Sequence, residues 1–127
     1  MMSVVLPSYN EEGMIEKTAK VLTEILDSEK IDHELIFVND GSSDNTQFEI
    51  EKVADKYPNV RYVMFSRNFG KEAAIFAGLA ISKGECVAVM DCDLQHPPAT
   101  LVEMYRLWEQ GYEVIEGVKK TRGKESV

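Results

Sequence analysis

Two aspartates one residue apart, Asp91 and Asp93, follow the apolar run Val87-Ala88-Val89-Met90. Alternate residues of an extended segment point the same way, so this spacing offers two carboxylates to one hard cation. Oxygen donors without a set of thiolates or imidazoles suit Mg2+ or Mn2+ and not zinc. Gln95 supplies a third oxygen ligand, and His96 beside it serves as a supporting or capping residue. An Asp-x-Asp in an acidic chain can also be a turn cap. Its place at the end of a buried strand favours the cation, because two like charges there are costly unless a cation or hydrogen bonds offset them.

Two further polar clusters follow apolar runs: Pro7-Ser8-Tyr9-Asn10-Glu11-Glu12 after Val4-Val5-Leu6, and Asn39-Asp40-Gly41-Ser42-Ser43-Asp44 after Leu35-Ile36-Phe37-Val38. Asp40 directly ends its strand, where a carboxylate can accept hydrogen bonds from a base or ribose. The same stretch also reads as a turn into a helix capped by Ser43 or an Asp. Glu11 is a ribose or base contact, or else one of two glutamates favouring the positive start of a helix. Tyr9 stacks on a base or packs as a half-buried aromatic. In Ser66-Arg67-Asn68-Phe69-Gly70-Lys71, Arg67 and Asn68 either position phosphate or sugar or only fix a turn. No glycine-rich dinucleotide turn follows the first strand and no phosphate-loop motif occurs. A pyrophosphate is therefore left to a metal at Asp91 and Asp93 and to the cations Arg67, Lys71 and Lys119.

The elements that must position these residues alternate strictly. Strand candidates are Val4–Leu6, Leu35–Val38, Val60–Phe65, Val87–Met90 and Val114-Ile115, with a helix in each gap. The first helix stripes Ile15, Ala19, Leu22, Ile25 and Leu26, and the fourth, starting after Pro97-Pro98, stripes Leu101, Met104, Tyr105 and Trp108. The third, Gly70 to Ser82, is apolar almost all round and is expected to be deeply buried. Strict alternation predicts a doubly wound α/β domain: a mostly parallel sheet with helices on both faces. With the common strand order 3-2-1-4, the reversal falls between strands 1 and 4. The three polar clusters then meet in the crevice where such sheets bind ligands.

At 127 residues and 44% hydrophobic, the chain is expected to form one domain, residues 1–127, with a real core. Its last residues carry no helix cap or closing strand and read as a cut inside a longer protein. The net charge of −8 argues against nucleic acid as a partner. The acidity lies in residues 1–60, with 5 Lys/Arg against 13 Asp/Glu, whereas residues 61–127 balance at 9 against 9. The basic stretch Lys119 to Lys124 either faces phosphates or is a solvated terminus. Cys86 and Cys92 match neither a disulfide framework nor a zinc site and read as reduced packing thiols. No apolar run approaches the roughly 18–20 residues of a membrane span, and no secretory signal opens the chain, so a cytoplasmic setting is expected.

Together these segments, with Met90-Asp91-Cys92-Asp93-Leu94-Gln95-His96-Pro97-Pro98, resemble glycosyltransferase family 2. Within it they are most similar to the dolichol-phosphate mannose synthases and bacterial polyprenyl-phosphate glycosyltransferases, and Leu94 to Pro98 carries that narrower likeness. The resemblance implies a nucleotide-diphospho-sugar transferase (GT-A) fold, here truncated. It implies a nucleoside pocket lined by Pro7, Tyr9, Glu11, Val38 and Asp40, and a divalent ion at Asp91, Asp93 and Gln95 bridging the diphosphate. Asn10, Arg67, Asn68, Lys71, Cys92 and Lys119 complete the set of donor-contact candidates. Lys119, in Gly117-Val118-Lys119, stands where the family commonly has an arginine, which keeps the charge but loses the bidentate fork. Asn39 stands where many relatives carry a second aspartate.

The implied activity is inverting, metal-dependent transfer of a hexose from a nucleotide sugar of UDP-glucose or GDP-mannose type to a polyprenyl phosphate at the membrane surface. A saccharide acceptor or a non-catalytic nucleotide-binding module are the alternatives. Sugar nucleotidyl transfer is disfavoured by the missing glycine-rich basic turn. The family's acceptor-side residues and catalytic base would lie beyond Val127, so the chain is expected to bind donor and turn over poorly alone. The longer protein would be membrane-associated on the cytoplasmic face. Its donor base and oligomeric state, homo-oligomer included, are left open.

Overall fold

The computed structural model describes residues 1–112. These form strands β1 (Met2–Ser8), β2 (His33–Asn39), β3 (Val60–Met64) and β4 (Cys86–Val89), alternating with helices α1 (Ile15–Ser28), α2 (Thr46–Lys56), α3 (Lys71–Ile81) and α4 (Ala99–Glu109). The sheet is parallel, in the expected order β3-β2-β1-β4. Each crossover therefore carries a helix, and the strand order reverses between β1 and β4. The expected fifth strand at Val114-Ile115, like Lys119, lies outside the described residues.

Burial follows position in the sheet. Every residue of β2 is buried, because it has strands on both sides and helices on both faces. The edge strand β3 buries Val60 and exposes Tyr62 and Met64. Helices α1, α2 and α4 cover one face, packing on Val4, Leu6, Leu35 and Phe37. Ile15, Ala19, Leu22 and Leu26 of α1 form the expected buried stripe, whereas Ile25 is only partly covered. After α1 the chain turns through Lys30 at φ 59°, and the Ile31 amide returns to the Leu26 carbonyl at 2.9 Å, closing the helix.

Helix α3 lies on the other face, over Val5, Ile36 and Val38. The expectation that it is deeply buried is not met: only Ala74 and Gly78 are buried, and Phe76 is 71% exposed. Among the described residues no other helix packs on this face, so α3 buries one stripe against the sheet and leaves its outer side uncovered. Gly78 sets how close that stripe comes. A Cβ there would stand 2.4 Å from Cγ1 of Val5, so only glycine lets the helix settle at this distance from β1. Among the described residues no helix is long and apolar enough to cross a membrane.

Candidate functional site

The exits of β1 and β2 are tied to each other before they meet any ligand. Ser8 and Asn39 end their strands side by side in register. Asn10 then adopts a left-handed turn at φ 51°. Its Oδ1 accepts from the Ser43 amide at 2.8 Å, and its own amide donates to Ser42 Oγ at 2.9 Å. The Glu11 amide donates to Thr46 Oγ1 at 2.8 Å. Just ahead of α2, Asp44 Oδ1 accepts from the Thr46 amide at 3.0 Å, and Ser43 serves the tie to Asn10. Asn39 uses both ends of its amide, Oδ1 accepting from the Ser42 amide at 3.0 Å and Nδ2 donating to Gln47 at 2.9 Å. An aspartate at position 39 would forfeit the second bond.

Asp40 fastens the segment between β3 and α3. Its carboxylate accepts from Asn68 Nδ2 at 3.0 Å, the Phe69 amide at 2.8 Å and the Gly70 amide at 3.1 Å. Asn68 is therefore a turn-fixing residue, and Arg67 lies over the Phe69 ring, its guanidinium 5.3 Å from the centroid. Gly41, at φ 70°, allows this approach: a Cβ there would lie 2.1 Å from the Arg67 carbonyl carbon and 2.3 Å from the Asn68 nitrogen. Lys71, first residue of α3, is delivered to Asp91, its Nζ 2.6 Å from Oδ1.

On the β4 side the ladder to β1 ends at Val5↔Val89, so Asp91 falls beside the Pro7 end of β1. Thr18 of α1 donates its hydroxyl to the Cys92 carbonyl at 2.5 Å, pinning the backbone between the two aspartates. Cys92, expected among the donor contacts, has its side chain in the core at 1% exposure, and burial pushes the pKa of its thiol up to about 12. The thiol stays a neutral packing group. Asp93 Oδ1 accepts from the Gln95 amide at 3.2 Å, in a turn where Leu94 takes φ 60°. Asp93 thus serves as a turn cap while its charge still acts on the cleft.

That cleft, about 160 Å³, is lined by Pro7, Ser8, Tyr9, Glu11, Asp40, Lys71 and Asp91. Of the expected donor contacts it gathers Pro7, Tyr9, Glu11, Asp40, Lys71 and Asp91. Asn10 and Asn68 hydrogen-bond the loops around it, Arg67 lies over the Phe69 ring, Cys92 is buried in the core, and Val38 is wholly buried under α3. A larger depression of about 360 Å³ between α1 and α2, with Glu16, Glu49, Lys52 and Lys56 on its walls, involves none of the strand-exit residues singled out by sequence.

Glu11 has its pKa raised, first by burial and then by the charges of Asp93, Asp91 and Asp44. Carboxylates are thus crowded at the switch point, and among the described residues lining the cleft Lys71 is the cationic one. Among the described residues no three His, Cys, Asp or Glu side chains are gathered closely enough to hold an ion unaided. Hard oxygen donors, short of a full shell and mutually repelling, fit Mg2+ or Mn2+, which typically take one or two carboxylates and complete their shell with water and substrate phosphate. Sequence reasoning missed Gly41, Thr18 and Thr46. Only Gly41, following a strand-end aspartate, carried a signal.

A parallel α/β sheet with an acidic cleft at its topological switch point defines a ligand-binding domain of the doubly wound class. Residues 3–126 match the profile of Glycosyl transferase family 2, and the chain belongs to that family. It is 42% identical over 124 residues to an uncharacterized glycosyltransferase of Bacillus subtilis, YkcC, covering 98% of this chain and 38% of that protein. It is 36% identical over 120 residues to the bactoprenol glucosyl transferase of Shigella phage SfV, covering 94% of this chain and 39% of that one. The chain therefore spans about two fifths of the length of these relatives. Among solved structures it resembles the mannosyltransferase PcManGT of Pyrobaculum calidifontis in complex with GDP-Man and Mn2+. The TM-score is 0.67 at 28% identity, over 79% of this chain and 30% of that one. Such neighbours identify the fold as GT-A.

Proposed function

We propose that residues 1–127 form the donor-binding part of an inverting, metal-dependent glycosyltransferase that moves a hexose from a nucleotide sugar to a polyprenyl phosphate. The carrying observation is the convergence of Tyr9, Glu11, Asp40, Lys71 and Asp91 on one cleft at the β1/β4 switch point. The GDP-Man and Mn2+ of PcManGT support a nucleotide sugar and a divalent ion, and the bactoprenol glucosyl transferases support the lipid-phosphate acceptor.

On this reading Tyr9 supplies a face for the base, and Glu11 and Asp40 supply acceptors for base or ribose, with Pro7 closing the wall. Asp91, Asp93 and Gln95 would hold Mg2+ or Mn2+, which when bound stabilises charge developing on the departing diphosphate. Lys71, and Lys119 beyond the described residues, add positive charge for that diphosphate. In the reaction an oxygen of the acceptor phosphate bonds to the anomeric carbon as the bond from that carbon to the diphosphate breaks, with inversion. The acceptor oxygen is already anionic near neutral pH, so this half of the site needs no strong base. Acceptor contacts and membrane attachment, on the cytoplasmic face, belong to the rest of the full-length protein.

Calorimetric titration of UDP, GDP and their glucose and mannose conjugates, with and without Mg2+ or Mn2+, tests the reading. Metal-dependent binding of one nucleotide, abolished by Asp91→Ala and by Asp93→Ala, is expected. A folded chain that binds none of them, together with a full-length protein that also binds none, would sink it.

A further inference from the structure

The ion pair between Lys71 and Asp91 occupies the position that the proposed function gives to a metal. We infer that Lys71 is a tethered counter-ion: it neutralises Asp91 while the site is empty, opposes binding of a bare divalent cation, and moves to the diphosphate when cation and nucleotide arrive together. The inference rests on the donor-site reading above and adds an order to it, in which metal enters with the donor and not before.

The fold fixes the base of this lysine. Gly70, at φ 108°, and Phe69 immediately precede α3, and the amides of both donate to the Asp40 carboxylate at 3.1 Å and 2.8 Å. Lys71 is the next residue, so its Cα is set by a latch anchored on the central strand, and only the side chain beyond it is free. That side chain reaches Asp91 Oδ1 at 2.6 Å, with 59% of the lysine and 36% of the aspartate side chain exposed. A half-solvated pair of this kind is weak and exchanges readily. The contact is nonetheless short enough to exclude a metal from the same carboxylate oxygen. A doubly charged ion on Asp91 with the ammonium still in place would set three like charges within a few ångströms, so the two cations compete for that carboxylate.

Residue type fits the same role. Lysine is a point charge on a flexible four-carbon stem and can swing within the cleft, where arginine's planar fork would favour staying on a carboxylate. The surrounding charge explains why a counter-ion is present at all. Glu11, Asp91 and Asp93 repel one another across the cleft, which shows in the raised pKa of Glu11, whose first cause is burial and next the aspartate charges.

Mn2+ binding to the 127-residue chain without nucleotide, followed by electron paramagnetic resonance, tests the inference, with UDP and GDP titrated in saturating Mn2+ as the second arm. Lys71→Met, which keeps the stem and removes the charge, is expected to bind Mn2+ alone several-fold more tightly, as loss of a competing cation from a half-solvated pair predicts. The same variant should bind the nucleoside diphosphate several-fold more weakly, while Lys71→Arg stays near wild type in the metal arm. Opposite movement of the two affinities is not what a merely misfolded loop would give. If Lys71→Met binds Mn2+ no more tightly than wild type while nucleotide still binds, the counter-ion role is overturned and the donor site stands. If neither metal nor nucleotide binds wild type or variant, both readings fall.

Discussion

Strand β2 holds a buried carboxylate at each end, Glu34 near its start and Asp40 just past its finish, each 4% exposed, and each fastens one end of α3. Glu34 accepts from Ser3 Oγ at 2.6 Å, from the Lys83 amide just after α3 at 2.7 Å, and from Arg61 at 2.8 Å. Asp40 accepts from the Phe69 and Gly70 amides just before α3 and from Asn68. The difference lies in the partners. Glu34 is matched by a guanidinium at the end of the sheet away from the switch point. Among the described residues Asp40 is bonded to amides alone, and it borders the cleft. One device thus serves two ends: with a cation it is a structural lock, and at the carboxyl edge, paired with amides, it is a latch beside the cleft.

Gly41→Ala should break the cleft end hardest. The added methyl would meet the Arg67 and Asn68 backbone at 2.1–2.3 Å with φ at 70°, so the loop must move off Asp40. A loss of roughly 2–4 kcal/mol in urea unfolding is expected, with nucleotide binding abolished. Wild-type stability would show that this approach is not tight.

Removing the two carboxylates in turn sharpens the contrast. Glu34→Ala leaves Arg61, Ser3 and the Lys83 amide without their acceptor and should cost about 2–3 kcal/mol, with nucleotide affinity unchanged. Asp40→Ala leaves the Asn68, Phe69 and Gly70 amides without their acceptor, should cost about 1–2 kcal/mol, and should remove nucleotide binding. Equal loss of affinity in both variants would end the distinction between lock and latch.

How far the sequence foretold this depends on what each signal measured. Strand order and the meeting of three strand exits were legible, because the β-α alternation and the polar residues after Val38 and Met90 report directly on topology. The burial of α3 was misjudged, because apolar composition records what a helix can bury and not how many neighbours arrive to cover Phe76. Asn10, Asn68 and Cys92 were placed at the ligand because they lie within the right motifs. Their hydrogen bonds and burial depend on partners 28 or more residues away, Ser43, Asp40 and Thr18, which local spacing does not reveal. The Asp91–Lys71 pair was invisible for the same reason, since both were assigned to a ligand and not to each other.

The smallest expected effect separates the two ends by pH. The Glu34 pKa lies below its ordinary value of 4.5, since hydrogen bonds from Ser3, Lys83 and Arg61 together outweigh the opposing effect of burial. Its contribution to stability is therefore complete above the unfolded value and is lost as pH falls through the lower folded one. Glu11 runs the other way: burial, then Asp93, Asp91 and Asp44, raise its pKa above 4.5, so its charged form costs stability at neutral pH and that cost fades as acid protonates it. Unfolding midpoints measured from pH 7 downward should show Glu34→Gln with a shallower acid loss. Glu11→Gln should be slightly more stable than wild type near neutrality, by less than about 1 kcal/mol because the group is partly solvated, and should bind nucleotide less well. That pairing, stability gained where affinity is lost, is what a carboxylate held for a ligand and not for the fold must show. A Glu11→Gln variant that loses both would place Glu11 with Glu34, among the residues that hold the sheet.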